Sequence, residues 1–359
     1  METIALTEVR DEAQRAFDIC NACRYCEGFC AVFQEMTEHR TFDISQIDHL
    51  ANLCHNCTAC YHACQYKPPH EFNLNVPKTL AELRPLTWQD HAWPRSFAKL
   101  LETNGLKVSL AMSLVFSIFL IGAFTFIDQT NLTSVHTGPG AFYAVIGHGM
   151  IVLLAGSASL WAILATFISA RTFNRSLGVR RSVSWSDVFS DLVTLKHLGG
   201  GHGEGCNEED DAFSNRRRLF HHLTMWGFLL CFAATCVATV YELALGWMSP
   251  FPFFSLPVML GSIGGIGLIL GPIGFLLTHN KFHPETKNRG GMDVAFIVLL
   301  LLISVTGFLL LGLRDTSAMG SLLAIHLSFV ITFFVTLPYT KFVHAIYRTI
   351  SLVHFHRKD

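Results

Sequence analysis

Eight of the eleven cysteines lie between Cys20 and Cys64, in two runs of identical spacing. The first is Cys20-x2-Cys23-x2-Cys26-x3-Cys30 and the second Cys54-x2-Cys57-x2-Cys60-x3-Cys64. Thiolates are soft ligands suited to zinc or to iron–sulfur clusters. Zinc takes four ligands, usually as two separated pairs. Two close-set runs of four are instead the pattern of two 4Fe-4S clusters. Three closely spaced thiolates cap three corners of one cube, and the fourth cysteine turns to the other cluster. The spacing therefore predicts one cluster on Cys20, Cys23, Cys26 and Cys64, and a second on Cys54, Cys57, Cys60 and Cys30. The proline that usually follows the fourth cysteine is absent, since Ala31 and Gln65 stand there. That weakens a turn signal and removes no ligand.

Disulfides are the competing use of clustered cysteines, and they belong to oxidising compartments. Residues 1–19 are acidic and mixed, with neither a basic region nor an apolar core of the export type. The cysteine part is expected to stay in the cytoplasm with its thiols free.

Histidines within apolar segments form the second set of candidates, because ionisable groups there are costly to keep. His148 and His326 sit near the outer face, and His221, His222, His279 and His344 near the inner one. His326 and His344 are 18 residues apart. On one continuous helix that is five turns and about 27 Å, so one helix would offer an imidazole to a haem near each membrane face. At matching depth, His148 would complete the outer pair with His326. His222, or alternatively His221, would complete the inner pair with His344, with His279 a weaker option. Two bis-histidine b haems are expected on this basis. Lys341 and Arg348 flank His344 and are candidates to pair with haem propionates. The plain alternatives are helix-end histidines near headgroups, and snorkelling of the two cations. Glu242, near the outer end of the third span, is either a proton donor to a quinone or an ordinary interfacial carboxylate.

These residues need elements to hold them. Of 359 residues, 51% are hydrophobic and 15% charged. The charged share is well below the usual quarter of soluble domains, and the mean hydropathy is +0.39. A disordered chain is excluded, and a membrane protein with a smaller soluble part is indicated. The net charge of -1 gives no reason to expect nucleic-acid binding. Six apolar stretches, at about 106–127, 141–169, 219–246, 256–279, 292–313 and 321–347, reach the roughly 20 residues that cross a bilayer as helix. Arg and Lys concentrate in the 170–218 and 280–291 loops and in the tail. The positive-inside rule then places both termini in the cytoplasm. Gly261, Gly264, Gly265, Gly267 and Gly271 of the fourth span suit close helix packing, and Pro272 is expected to kink it.

The fold expected is all-α. A helical two-cluster module at 1–78 is followed by a membrane-surface linker of short helices at 79–105. A six-span cytochrome b-like part at 106–359 then carries a cytoplasmic loop at 170–218. Within the module, Asp43 caps the segment after it with Gln46 three residues on, and Ile44, Ile47, Leu50 and Leu53 keep a helical period. In the loop, His197, His202, Cys206 and nearby acids suggest a metal site, but the glycine run Gly199–Gly201 favours a flexible polar stretch, or a docking contact.

The cysteine module resembles the all-helical ferredoxin of succinate dehydrogenase iron–sulfur subunits and heterodisulfide reductases. The sixth span, HLSFVITFFVTLPYTKFVHAIYR, resembles the last helix of nitrate-reductase gamma-type dihaem cytochromes. The chain as a whole resembles the tricarballylate utilization protein B family (TcuB, also called CitB), nearly end to end. The likeness is carried by the double cysteine run, CQYKPPHEFNLNVPKTLAELR, GGGHGEGC, RRRLFHHLTMWGFLLCFAATCVATVYE and the glycine-rich span. It implies a membrane electron-transfer subunit of the bacterial inner membrane. Its partner would be a soluble FAD-dependent dehydrogenase acting on tricarballylate, whose FADH2 is reoxidised through 4Fe-4S clusters and haem to quinone. Reverse flow, from quinol to a cytoplasmic reductase, is the alternative. A tricarboxylate transporter would leave eight ligand-like cysteines idle and has no Arg within an apolar core.

Overall fold

The computed structural model describes residues 2–178, 182–200, 203–207, 212–278 and 291–358. It is all-α, with short two-residue strands as the only sheet among the described residues. Five helices build the cysteine module: α1 (Glu2–Cys23), α2 (Ala31–Thr37), α3 (Ile44–Leu53), α4 (Ala59–His62) and α5 (Val76–His91). Helix α3 starts at a capping box. Asp43 Oδ1 accepts from the Gln46 amide at 2.8 Å, and Gln46 Oε1 accepts from the Asp43 amide at 2.9 Å. Two of the unpaired donors at the helix start are thus satisfied.

Phe17 of α1, Leu50 and Leu53 of α3 and Leu80 and Leu83 of α5 share one core with the cysteine loops packed against it. The core of the module therefore runs past residue 78, and α5 is part of it. Pro85 lies inside α5 without ending it.

Helix α6 (Arg95–Thr133) rises from the module into the bundle and is followed by α7 (Ala141–Val145) and α8 (His148–Ser176). A short helix, α9 (Trp185–Thr194), precedes α10 (Arg216–Leu245), α11 (Leu256–Thr278), α12 (Gly291–Leu313), α13 (Met319–Thr336) and α14 (Val343–Phe355). Among the described residues six apolar segments are long enough to cross a membrane. Their outer surface is apolar, as a lipid-facing bundle requires: Ile118, Phe119, Phe126, Phe167 and Leu243 are all exposed.

Helices α10 and α11 pack backbone to backbone. A Cβ on Gly264 would stand 2.7 Å from the Gly227 carbonyl oxygen, and one on Gly267 equally close to that of Leu223. Only glycine permits this approach. Helix α11 continues through Pro272.

Two expectations are corrected. The sixth span is not one helix: it breaks after α13 into a 3-10 turn, Leu337–Tyr339, passes through an extended Thr340, and restarts as α14. The cause is Pro338, which has no amide proton and clashes with the carbonyl four residues back. His326 and His344 are therefore not related by a continuous helical repeat. The described part of the 182–218 segment is folded rather than flexible. Strand β1 (Ser182–Val183) pairs with β4 (Arg357–Lys358), and β2 (Cys206–Asn207) with β3 (Phe213–Ser214). The glycines serve this close fold. Gly205 has φ +126°, and a Cβ there would lie 2.4 Å from the Ser214 carbonyl oxygen.

Candidate functional site

The two cysteine runs interleave in space. Cys20, Cys23, Cys26 and Cys64 line one cavity. Cys30, Cys54, Cys57 and Cys60 line a second, deeper one together with His55 and His197. Local structure explains the arrangement. Helix α1 ends at Cys23, and a turn with Arg24 at φ +55° carries the chain to Cys26. Cys30 stands at the N-cap of α2, which turns its side chain away from the run it belongs to. In the second run Asn56 and Thr58 both hold positive φ, at 55° and 61°. A β-branched residue rarely adopts that conformation, so the surrounding contacts must enforce it. The Thr58 hydroxyl makes a short hydrogen bond to the Asn207 carbonyl, and the Asn207 amide donates to the Cys57 carbonyl at 3.2 Å.

The donor set fits iron–sulfur ligation. Backbone amides point at sulfur: Asn56 N to Cys54 Sγ at 3.3 Å and Tyr66 N to Cys64 Sγ at 3.4 Å. Burial, and then the charge of neighbouring thiolates, pushes Cys20 and Cys26 up to about 12 and Cys60 well above the ordinary thiol value. So many thiols packed together ionise only where a cation takes up their charge. Among the described residues no three metal-ligating side chains converge on a point that would hold a single ion.

Arginines from three helices close over the second run. Arg84 of α5 donates from Nη1 to the Cys54 carbonyl at 3.0 Å, and Arg348 of α14 from Nη2 to the same oxygen at 2.6 Å. Arg217 of α10 makes a short hydrogen bond to the Asn56 carbonyl. Each arginine lies in a segment quoted above, but their meeting was invisible in the sequence, because each is more than a hundred residues from the next. Arg348 and Lys341, read as propionate partners, both have protein partners here; Lys341 is ion-paired with Asp293.

The inner histidines lie beside this junction. The rings of His221 and His344 are 5.8 Å apart, centre to centre, at 83°. His344 Nδ1 bonds to the Lys341 carbonyl, which leaves Nε2 as the nitrogen that could meet a further partner. His221 Nδ1 is buried and has no hydrogen-bond partner. His221, rather than His222, is thus the neighbour of His344. His148 and His326 have different neighbours. His326 Nδ1 lies 3.0 Å from the Thr306 hydroxyl, and His148 Nε2 lies 3.4 Å from Glu242, which also accepts from Tyr143 and Ser249.

His197 and Cys206 were candidates for a metal site in the loop. The structure separates their roles. His197 Nε2 is 2.9 Å from Asp191 Oδ2, which also bonds His356 at 2.8 Å. Cys206 is fully buried and packs with Leu195, Leu198 and Cys57. His202 and His279 lie outside the described residues.

Fold and site together define an all-α protein in which an iron–sulfur, Fer4-like module is built onto a six-segment apolar bundle. Residues 13–92 match the Citrate utilization protein B Fer4-like domain, and residues 101–359 match Citrate utilization protein B. The chain is 49% identical over 360 residues to Citrate utilization protein B of Escherichia coli, covering 98% of this chain and 93% of that protein. The chain belongs to the citrate utilization protein B family. No solved structure matches it.

Proposed function

We propose that the chain is a membrane electron-transfer subunit that reoxidises the FADH2 of a soluble dehydrogenase and delivers the electrons to membrane quinone. A tricarballylate dehydrogenase-like enzyme is the partner implied by the family. The observation that carries this reading is the pair of four-cysteine cavities, the deeper of which is tied through Arg348 to the helix bearing His344.

Cys20, Cys23, Cys26 and Cys64 would hold one 4Fe-4S cluster, and Cys30, Cys54, Cys57 and Cys60 the other. Bound clusters supply one-electron steps between a two-electron flavin and a two-electron quinone. The chain's own residues set burial, hydrogen bonding to sulfur and local charge. His221 and His344 are the residues placed to hold a b haem at the inner end of the bundle; an outer haem on His148 and His326 is not part of the proposal. The cysteine module, the 182–207 segment and the C-terminal strand meet at one end of the bundle. We assign that end to the cytoplasm, and with it both termini.

The test is anaerobic purification followed by iron, acid-labile sulfide and pyridine-haemochrome analysis. The reading expects about eight non-haem irons per chain. Vesicles carrying the chain should then reduce an added quinone when supplied with the flavin dehydrogenase and its substrate. Zinc in place of iron, or quinone reduction that proceeds equally without the chain, would overturn it.

A further inference from the structure

The two cysteine cavities sit in different electrostatic surroundings. Arg84, which is 9% exposed, Arg217 and Arg348 all donate to the Cys54–Asn56 turn of the deeper one. Asp293 is engaged with Lys341, so that pair adds little net charge, and Asp191 is engaged with His197 and His356. Beside the cysteines of the outer cavity stand Arg24, Glu27 and Lys67. Arg24 and Glu27 are exposed, and Lys67 is half-buried with Nζ on the His62 carbonyl at 3.0 Å. Exposed charges are screened by water and salt, and buried ones far less.

Resting on the two-cluster reading, we propose that Arg84, Arg217 and Arg348 form a cationic collar around the deeper cluster. The collar holds that cluster at a higher reduction potential than the one on Cys20, Cys23, Cys26 and Cys64. A 4Fe-4S cluster with four thiolates is an anion that gains one negative charge on reduction. Burial alone opposes that gain and lowers the potential. Fixed, desolvated cations stabilise the reduced form and raise it. Three guanidiniums against one added unit of charge decide the balance. Each electron that leaves the reduced outer cluster, oxidising it, then runs downhill to the deeper one, beside His221 and His344. The flavin dehydrogenase is the electron donor and docks at the outer cavity. The order of potentials thus selects inward flow over the reverse.

The test is an EPR redox titration of the purified full chain. Cys57→Ser identifies the deeper cluster by altering its signal alone. Wild type should show the higher midpoint for that cluster. Arg84→Gln should shift its reduced-to-oxidised ratio at fixed potential by about tenfold, which is about 59 mV for one electron. Arg84→Lys should restore it, and the outer cluster should not move. Arg217→Gln, at the start of α10, gives the same reading if Arg84→Gln fails to assemble. A deeper cluster of lower midpoint, or equal shifts in both clusters, would sink the collar. Absence of any 4Fe-4S signal in iron-replete wild type would instead sink the two-cluster reading beneath it.

Discussion

Arg348 Nη2 donates to the Cys54 carbonyl oxygen at 2.6 Å across 294 positions of sequence, one helical turn beyond His344. With Arg217 of α10 on the Asn56 carbonyl, this side chain helps to seat the cysteine module on the bundle. Arg348→Ala removes a hydrogen bond from a charged donor, worth about 1.5–3 kcal/mol. Arg84 remains on the same oxygen, so the module should still fold. The expected result is faster loss of iron to a chelator from one half of the total only. Uniform loss from both halves would show that Arg348 supports the module generally.

The grouping of cysteines around two cavities makes a second, sharper forecast. Cys30 and Cys26 are neighbours in sequence but line different cavities. Cys26→Ala should remove or convert the same cluster as Cys64→Ala, and Cys30→Ala the same as Cys57→Ala. Iron content together with EPR of each reduced variant reads this directly. If Cys26→Ala and Cys30→Ala act on one cluster, each run holds its own cluster and the interleaved assignment is wrong.

His221 and His222 are adjacent, yet only the His221 ring stands against His344, at 5.8 Å. If a haem is held at the inner end, His221→Leu and His344→Leu should each abolish the reduced haem bands in anaerobic spectra. His222→Leu should leave them. Loss of the bands in His222→Leu alone would move the site one residue and overturn the pairing.

Close packing of α10 on α11 also sets a limit on sequence. The Gly264 Cβ position lies 2.7 Å from the backbone oxygen of Gly227 and 2.8 Å from the Cys231 amide nitrogen. Backbone cannot yield as a flexible side chain can. Gly264→Val should destabilise the bundle by about 1–3 kcal/mol, read as lower thermal stability in detergent. Gly122→Val, at a position with nothing within 4 Å of the Cβ, should have little effect.

Much of this was legible in the sequence because it is local. Asp43 and Gln46 are three residues apart, and a capping box needs nothing further. The cysteine spacing and the apolar lengths are likewise short-range signals. Pro338 was equally visible, but a run of apolar residues on both sides disguised the break it causes. The loop around Gly199–Gly205 was misread for another reason. A glycine run has no rigid geometry by itself, but the described residues beside it are fixed by packing of Cys206 against Leu198 and by Asn207 on the second cysteine run. The arginine junction depends on α5, α10 and α14 meeting, which no local pattern encodes.

That loop is also where pH should act. Asp191 of α9 bonds His197 and His356, so it ties the segment to the C-terminal strand. Burial pulls the Asp191 carboxyl upward, but the hydrogen bond from His356 and the charge of His197 hold it below the usual carboxylate range. Burial pulls His197 below the ordinary histidine value, with Asp191 opposing. Both folded values are depressed, so both groups contribute stability that is complete above their unfolded values and lost as pH falls. His197 begins the loss below about pH 6.5, and Asp191 continues it below about pH 3.9. Hydrogen exchange in residues 185–200, corrected for intrinsic rate, should therefore speed up from about pH 7 to about pH 4. In Asp191→Asn it should be fast at the upper end already and change less. Greater protection at low pH in wild type would reverse the sign, and would mean that a charged His197 stabilises the fold.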